Sequence, residues 1–211
     1  ADPTFSPETA RMDLPLSAAI PLVEPNQMTR LLARMWELAI PHVTILAGDA
    51  PDSDALIRAV QRAEDLGMIA GVRGCGTVLG QGSLVRDLAQ AGIDHLDVLY
   101  LAADGRLHDS IVGPGDHAQA VRVFQLAREN DICPVADIAL TRATAAVVDD
   151  TILSLKQYDT DNAAVYAIAT DAPMVNGTTP DTTLANETAD GPLTGDSLVQ
   201  LAGMAIATAG V

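Results

Sequence analysis

Asp137 is the residue that most demands a partner. It lies in CPVADIALT (133–141), an otherwise apolar run. A carboxylate there is costly unless a cation or hydrogen-bond donors meet it. Arg73, in MIAGVRG (68–74), is a candidate partner. Joined by Asp49, which follows HVTILAG (42–48), the pair would give a barrel enzyme its acid–base groups. The bland alternative is a structural ion pair inside the fold. Cys75 stands between Gly74 and Gly76, which would let the backbone approach a ligand. As a nucleophile it would need a base within hydrogen-bond reach, and no histidine lies near it in sequence.

The four histidines divide by position. His42 and His95 each open a strand run and read as structural, at the end of the fold opposite the chemistry. His108 and Asp109 fall in a loop at the other end. Gly113-Pro-Gly-Asp precedes a helix and could bind an anion, but Asp116 at that terminus reads as an ordinary cap. Asn176-Gly-Thr and Asn186-Glu-Thr fit the glycosylation pattern, in a Thr-rich stretch where chance matches are expected.

These residues are positioned by one repeated unit. A β-branched run is followed by an amphipathic helix, and runs begin near His42, Ile69, His95, Cys133 and Ala163. Residues 14–22 are a further strand, weakened by two prolines. Parallel strands need a crossover, usually a helix, so the repetition predicts a parallel sheet with helices outside it. HVTILAG is nearly all apolar, as a strand buried on both faces would be. Helices are predicted over 27–39, 54–67, 83–92, 116–131 and 143–159, with Asp52 or Ser53 capping the second and Gly67 ending it. Residues 103–115 read as a long connection, 171–192 as an irregular loop and 193–210 as a closing helix. In such folds ligands lie beyond the strand C-termini. That rule nominates Asp49, Arg73, Cys75, Asp104, Arg142, Thr170 and Asp171.

The chain has 211 residues, 48% of them apolar, enough for one domain with a substantial core. Its formal charge is −16, with 28 acidic and 12 basic residues, so it lacks the basic face of a nucleic-acid binder. No apolar run approaches the length of a membrane span, and a cytoplasmic location is expected. The 2 cysteines, Cys75 and Cys133, cannot make an all-cysteine zinc site or hold an iron–sulfur cluster unaided. No metal site is expected. Residues 1–13 read as a disordered leader, and 14–211 as a single domain.

The ordered patterns from 28 to 142 resemble the core of the radical SAM superfamily, in its peptide-modifying and cofactor-maturation branch. IPHVTILAGDAP (40–51) resembles the stretch in which a strand ends in Gly-Gly-Glu-Pro. LGMIAGVRGCGTVL (66–79) resembles the next strand, which ends in Thr-Asn-Gly-Thr. The most specific piece is LVRDLAQAGIDHLDVLYLAADGRLHDSIVG (84–113), and LARENDICPVADIALTR (126–142) continues the pattern. The resemblance assigns His108 and Asp109 to loop structure. It implies that Ala47, Gly48 and Asp49 stand where the family binds the SAM amine.

The departures are at the chemistry. The family's Cys-x-x-x-Cys-x-x-Cys should lie around 18–27, where this chain reads AAIPLVEPNQ. Without three thiolates there is no cluster to donate the electron. Cys75 replaces the Asn of Thr-Asn-Gly, and Leu101-Ala102 replaces an Asp-Gly. The expectation is therefore an α/β fold, a partial, open TIM-type barrel of about six parallel strands flanked by helices, without iron–sulfur cluster. It would serve as a binding or scaffold protein for a small molecule or a protein. The alternatives are a barrel enzyme using Asp49, Asp137 and Arg73, or SAM binding without a cluster. The barrel's open edge would be covered by residues 171–192, the final helix or a second copy of the chain. The strand C-terminal mouth should be narrow and partly occluded by residues 14–27.

Overall fold

The computed structural model describes residues 17–49, 51–160 and 162–167. Six strands form one sheet: β1 (Ser17–Pro21), β2 (His42–Leu46), β3 (Ile69–Gly74), β4 (His95–Leu99), β5 (Cys133–Leu140) and β6 (Asn162–Ala167). They lie in chain order and every neighbouring pair is parallel, so the sheet curls into a half-barrel with β1 and β6 at its edges. The helices are α1 (Pro25–Glu37), α2 (Ser53–Asp65), α3 (Gly76–Leu79), α4 (Leu84–Gln90), α5 (Gly105–Val112), α6 (Asp116–Glu129) and α7 (Val148–Leu155).

Helical periodicity accounts for the outer layer. Met28, Leu32 and Met35 form the buried stripe of α1, and Leu56, Ala59, Val60 and Ala63 that of α2. Ala120, Val123, Phe124 and Ala127 do the same in α6. Asp52 caps α2 by accepting from the Ala55 N–H at 3.0 Å, as expected, and Gly67 ends it with φ +73°. The opposing stripe comes from the strands: Val43, Ile45, Ala70, Val72, Leu96, Val98, Ala136 and Ile138 are fully buried.

Three expectations are corrected here. β2 is not buried on both faces. Its residues alternate, Val43 and Ile45 buried and His42, Thr44 and Leu46 half-buried, because the barrel is open and one sheet face is reachable by solvent. The 103–115 connection contains α5, capped by Asp104, whose side chain accepts from the Arg106 N–H at 2.8 Å. Residues 17–21 and 25–37 are a strand and a helix, and so are not folded across the mouth. Residues 1–13, 171–192 and the closing helix lie outside the described residues.

Candidate functional site

The strand C-terminal side is held by side chains that bond backbone. Cys75 is buried at the start of α3, its Sγ 3.2 Å from the Thr77 hydroxyl, and burial pushes its thiol up. It is therefore not the accessible thiol that its glycine neighbours suggested. Asp116 does not cap its own helix. Its carboxylate reaches α3, accepting from the Gly76 N–H at 3.2 Å, the Thr77 N–H at 2.7 Å and the Thr77 hydroxyl at 2.8 Å. His108 completes the tie: its Nδ1 accepts from the Leu101 N–H at 3.1 Å, so Nε2 carries the proton given to Asp116 at 3.0 Å. Burial pushes the Asp116 carboxyl up, but the bonds from His108 and Thr77 hold it below its ordinary value. Asp109 accepts from the Gly115 and His117 N–H groups instead, which lowers its carboxyl.

The other nominated residues at this end are scattered. Asp49 is exposed, and no hydrogen bond joins it to Arg73 or Asp137. Gly48 beside it has φ +73°, and the Ala47 N–H is taken by the Arg73 carbonyl. Leu101 and Ala102 are fully buried. Arg142 is exposed, and Thr170 and Asp171 lie outside the described residues.

The concave face of the sheet is different. A cavity of about 530 Å³ lies there, lined among others by His42, Thr44, Arg73, His95, Asp97 and Asn162. Arg73 and Asp137 do meet. Nη2 of Arg73 donates to Oδ1 at 2.7 Å, and Nε lies 2.7 Å from Oδ2. The Tyr166 hydroxyl donates to the same carboxylate at 3.3 Å, and the guanidinium sits over the Tyr166 ring, 5.3 Å from its centroid. Asp137 is 1% exposed, and burial pushes its carboxyl up to about 6 against the pull of Arg73.

Beside this pair runs a file of residues whose histidines, from their place at strand starts, are expected to be structural. Nδ1 of His95 is 2.7 Å from Oδ1 of Asp97, and its Nε2 is 2.8 Å from Nε2 of His42. The two rings meet edge to face at 88°. They touch across β3 because Gly71 stands between them: a Cβ there would come within 2.0 Å of His95 Cε1. The sequence signal for this file is alternation. His42-x-Thr44 and His95-x-Asp97 put polar residues two apart, on one face of each strand.

No protein-family model matches the chain, and no curated protein matches its sequence. Solved structures do match. SuiB of Streptococcus suis, solved bound to S-adenosylmethionine, superposes with TM-score 0.60 at 13% identity, over 73% of this chain and 39% of SuiB. The chain thus spans well under half of SuiB. A domain of pyruvate-formate lyase-activating enzyme from Bacteroides vulgatus ATCC 8482 gives TM-score 0.50 at 13% identity, over 74% of this chain and 86% of that domain. Both neighbours belong to the radical SAM enzymes that residues 28–142 resemble, and the likeness is one of fold.

The resemblance of residues 28–142 to that superfamily implies an iron–sulfur cluster and SAM. The residues in place do not fit the cluster. The β1–α1 connection, where its cysteines should stand, is Leu22-Val23-Glu24, and it runs straight into Pro25 at the first turn of α1. Cys75 follows the C-terminal end of β3, whereas Cys133 begins β5 at the opposite end of the sheet and is exposed. Among the described residues no group of three or more His, Cys, Asp or Glu side chains is arranged to hold a metal.

Proposed function

We propose that this chain is a radical-SAM-like half-barrel that acts without a cluster, as a binding domain for a small polar molecule held on the concave face of the sheet. The observation that carries the reading is the thiol-free β1–α1 connection, which leaves the fold without the three thiolates a site-differentiated cluster needs. The cavity on the concave face, with side-chain polar groups from several strands, supplies an alternative place for a ligand. The net charge of −16 argues against nucleic acid as the partner.

Anaerobic reconstitution of the full chain with iron and sulfide tests this. The expected result is no visible charge-transfer absorbance and no heat on titration with millimolar SAM. A stoichiometric cluster overturns the reading. An enzyme built on Asp49, Asp137 and Arg73 is less well supported, because Arg73 and Tyr166 occupy the Asp137 carboxylate and Asp49 stands outside that group.

A further inference from the structure

We infer that the concave cavity is a proton-transfer site, in which His42 is a general base held ready by His95 and Asp97 and acts on the O–H of a small neutral hydroxyl compound or of water. The inference rests on the concave face being the ligand site, and not on the missing cluster.

Hydrogen bonding sets the direction of the file. An ionised carboxylate only accepts, so Asp97 takes the Nδ1–H of His95. The Nε2 of His95 is then a lone pair, and the hydrogen shared across 2.8 Å must come from His42 Nε2. That leaves Nδ1 of His42 as the basic nitrogen, and no described residue hydrogen-bonds it. A proton arriving there makes His42 an imidazolium. Its Nε2–H then bonds a ring already polarised by a carboxylate, so the new charge is stabilised through the file. Burial and the neighbouring His95 push His42 below its ordinary value, while Asp97 and Asp94 pull it up, so the ring is a free base at neutral pH.

The site is built from three strands. β2 supplies His42, β4 supplies His95 and Asp97, and β3 supplies the gap at Gly71 through which they meet. A chance surface contact would not need a missing Cβ in the strand between.

Charge selects the ligand. The lining holds two carboxylates, Asp94 and Asp97, against Arg73, whose charge Asp137 already balances. An anion such as a phosphate ester is disfavoured there. Ser17, Thr44 and Asn162 add neutral hydrogen-bonding groups suited to hydroxyls. In the step proposed, the O–H bond breaks and its proton goes to His42 Nδ1. The electron pair stays on oxygen, which adds to the acyl carbon of an ester, and the ester's alkoxy oxygen leaves with the pair of the bond that breaks.

p-Nitrophenyl acetate is the probe. Water deprotonated by His42 adds to the acyl carbon, p-nitrophenolate leaves with the bonding pair, and acetate is the second product. The full chain is expected to hydrolyse it, with a rate that falls at least about tenfold in His42→Gln. In Asp97→Asn the rate falls and the midpoint of the pH–rate profile moves to lower pH, a shift that mere loss of structure would not give. An unchanged rate in His42→Gln, or an unmoved midpoint in Asp97→Asn, overturns the inference. Should His42→Gln fail to fold, nitrogen NMR of the unaltered protein decides: a neutral His42 ring whose hydrogen sits on Nε2, leaving Nδ1 basic, supports the inference, and a hydrogen on Nδ1 overturns it. A cluster on reconstitution would sink the cluster-free reading and leave this result standing.

Discussion

The strand C-terminal side and the concave face of the sheet treat their polar side chains differently. On the C-terminal side, Asp116, His108, Asp109 and Asp104 all bond backbone N–H groups. Each closes a loop or a helix start, and His108 and Asp116 do so in full burial. On the concave face, Asp97, His95, His42, Arg73, Asp137 and Tyr166 bond one another, within β4 and from strand to strand. A side chain committed to a buried amide is part of the scaffold, because withdrawing it strands a donor. Side chains that bond each other across a cavity can exchange partners with a ligand. Among the described residues, the buried polar groups of the C-terminal side hold backbone in place, and the concave face carries the candidate site.

The two regions should respond unequally to the same change, a methyl added to a glycine. At Gly76 the new Cβ would lie 2.2 Å from the Ala120 nitrogen and 2.6 Å from the Asp116 carbonyl oxygen. Both are backbone of α6 and cannot step aside. Gly76→Ala should therefore cost about 3 kcal/mol or more, the upper end for overpacking. Chemical denaturation checks this. A loss under about 1 kcal/mol would mean the C-terminal side is looser than its hydrogen bonds imply.

The second test separates the buried pair from the scaffold by its pH dependence. The folded Asp137 carboxyl is pushed to about 6 from 3.8, mainly by burial. A raised acid contributes stability that is present below about pH 4 and lost as pH rises through about 6. Relative to Asp137→Asn, the unaltered protein should lose up to about 3 kcal/mol between those limits. Asp116 and Asp109, both lowered, contribute the opposite slope at lower pH. A stability difference that stays flat from about pH 4 to about 7.5 would show that Arg73 fully compensates the burial of Asp137.

Gly71→Ala is the interior counterpart of Gly76→Ala. The three atoms nearest its Cβ are ring atoms of His95, at 2.0 to 2.5 Å. The ring is a side chain beside a cavity and can swing away, giving up its bonds to His42 and Asp97. The expected cost is about 1–3 kcal/mol, smaller than at Gly76. The His42 ring should then titrate without its partner, which NMR would read directly. A cost equal to that at Gly76 would erase the distinction between the two regions.

Much of the scaffold is legible in the residues. Val43 to Leu46, Ile69 to Val72 and Leu96 to Leu99 read as strands, and the stripes of α1, α2 and α6 read as helices. α3 and α5 do not, because each begins with Gly and is only 4 or 8 residues long. The need of Asp137 for Arg73 is visible, since a buried carboxylate must be met. The meeting of His42 and His95 is not, for it depends on parallel register and on the space over Gly71. Neither is a property of a local pattern. The alternation His-x-Thr and His-x-Asp marks a polar strand face, against the expectation that a parallel strand is apolar on both faces.

The smallest effect is expected at Asp49, the residue that the radical SAM resemblance would make a SAM ligand. It is exposed, on the turn after β2, and no described residue bonds it. The turn itself is fixed by backbone: Gly48 takes φ +73°, and the Ala47 N–H reaches the Arg73 carbonyl at 2.9 Å. Neither depends on the Asp49 carboxylate. Asp49→Ala should therefore change stability by no more than about 1 kcal/mol, the scale of one modest hydrogen bond. It should also leave hydrolysis of p-nitrophenyl acetate unchanged, because the proposed base lies on the concave face of the sheet. Thermal melts and the esterase rate check the two halves together. A melt shifted as far as that of Gly76→Ala would return Asp49 to the scaffold. A rate that fell with His42→Gln and Asp49→Ala alike would bring the C-terminal side back into the site, and the division between the two regions would no longer hold.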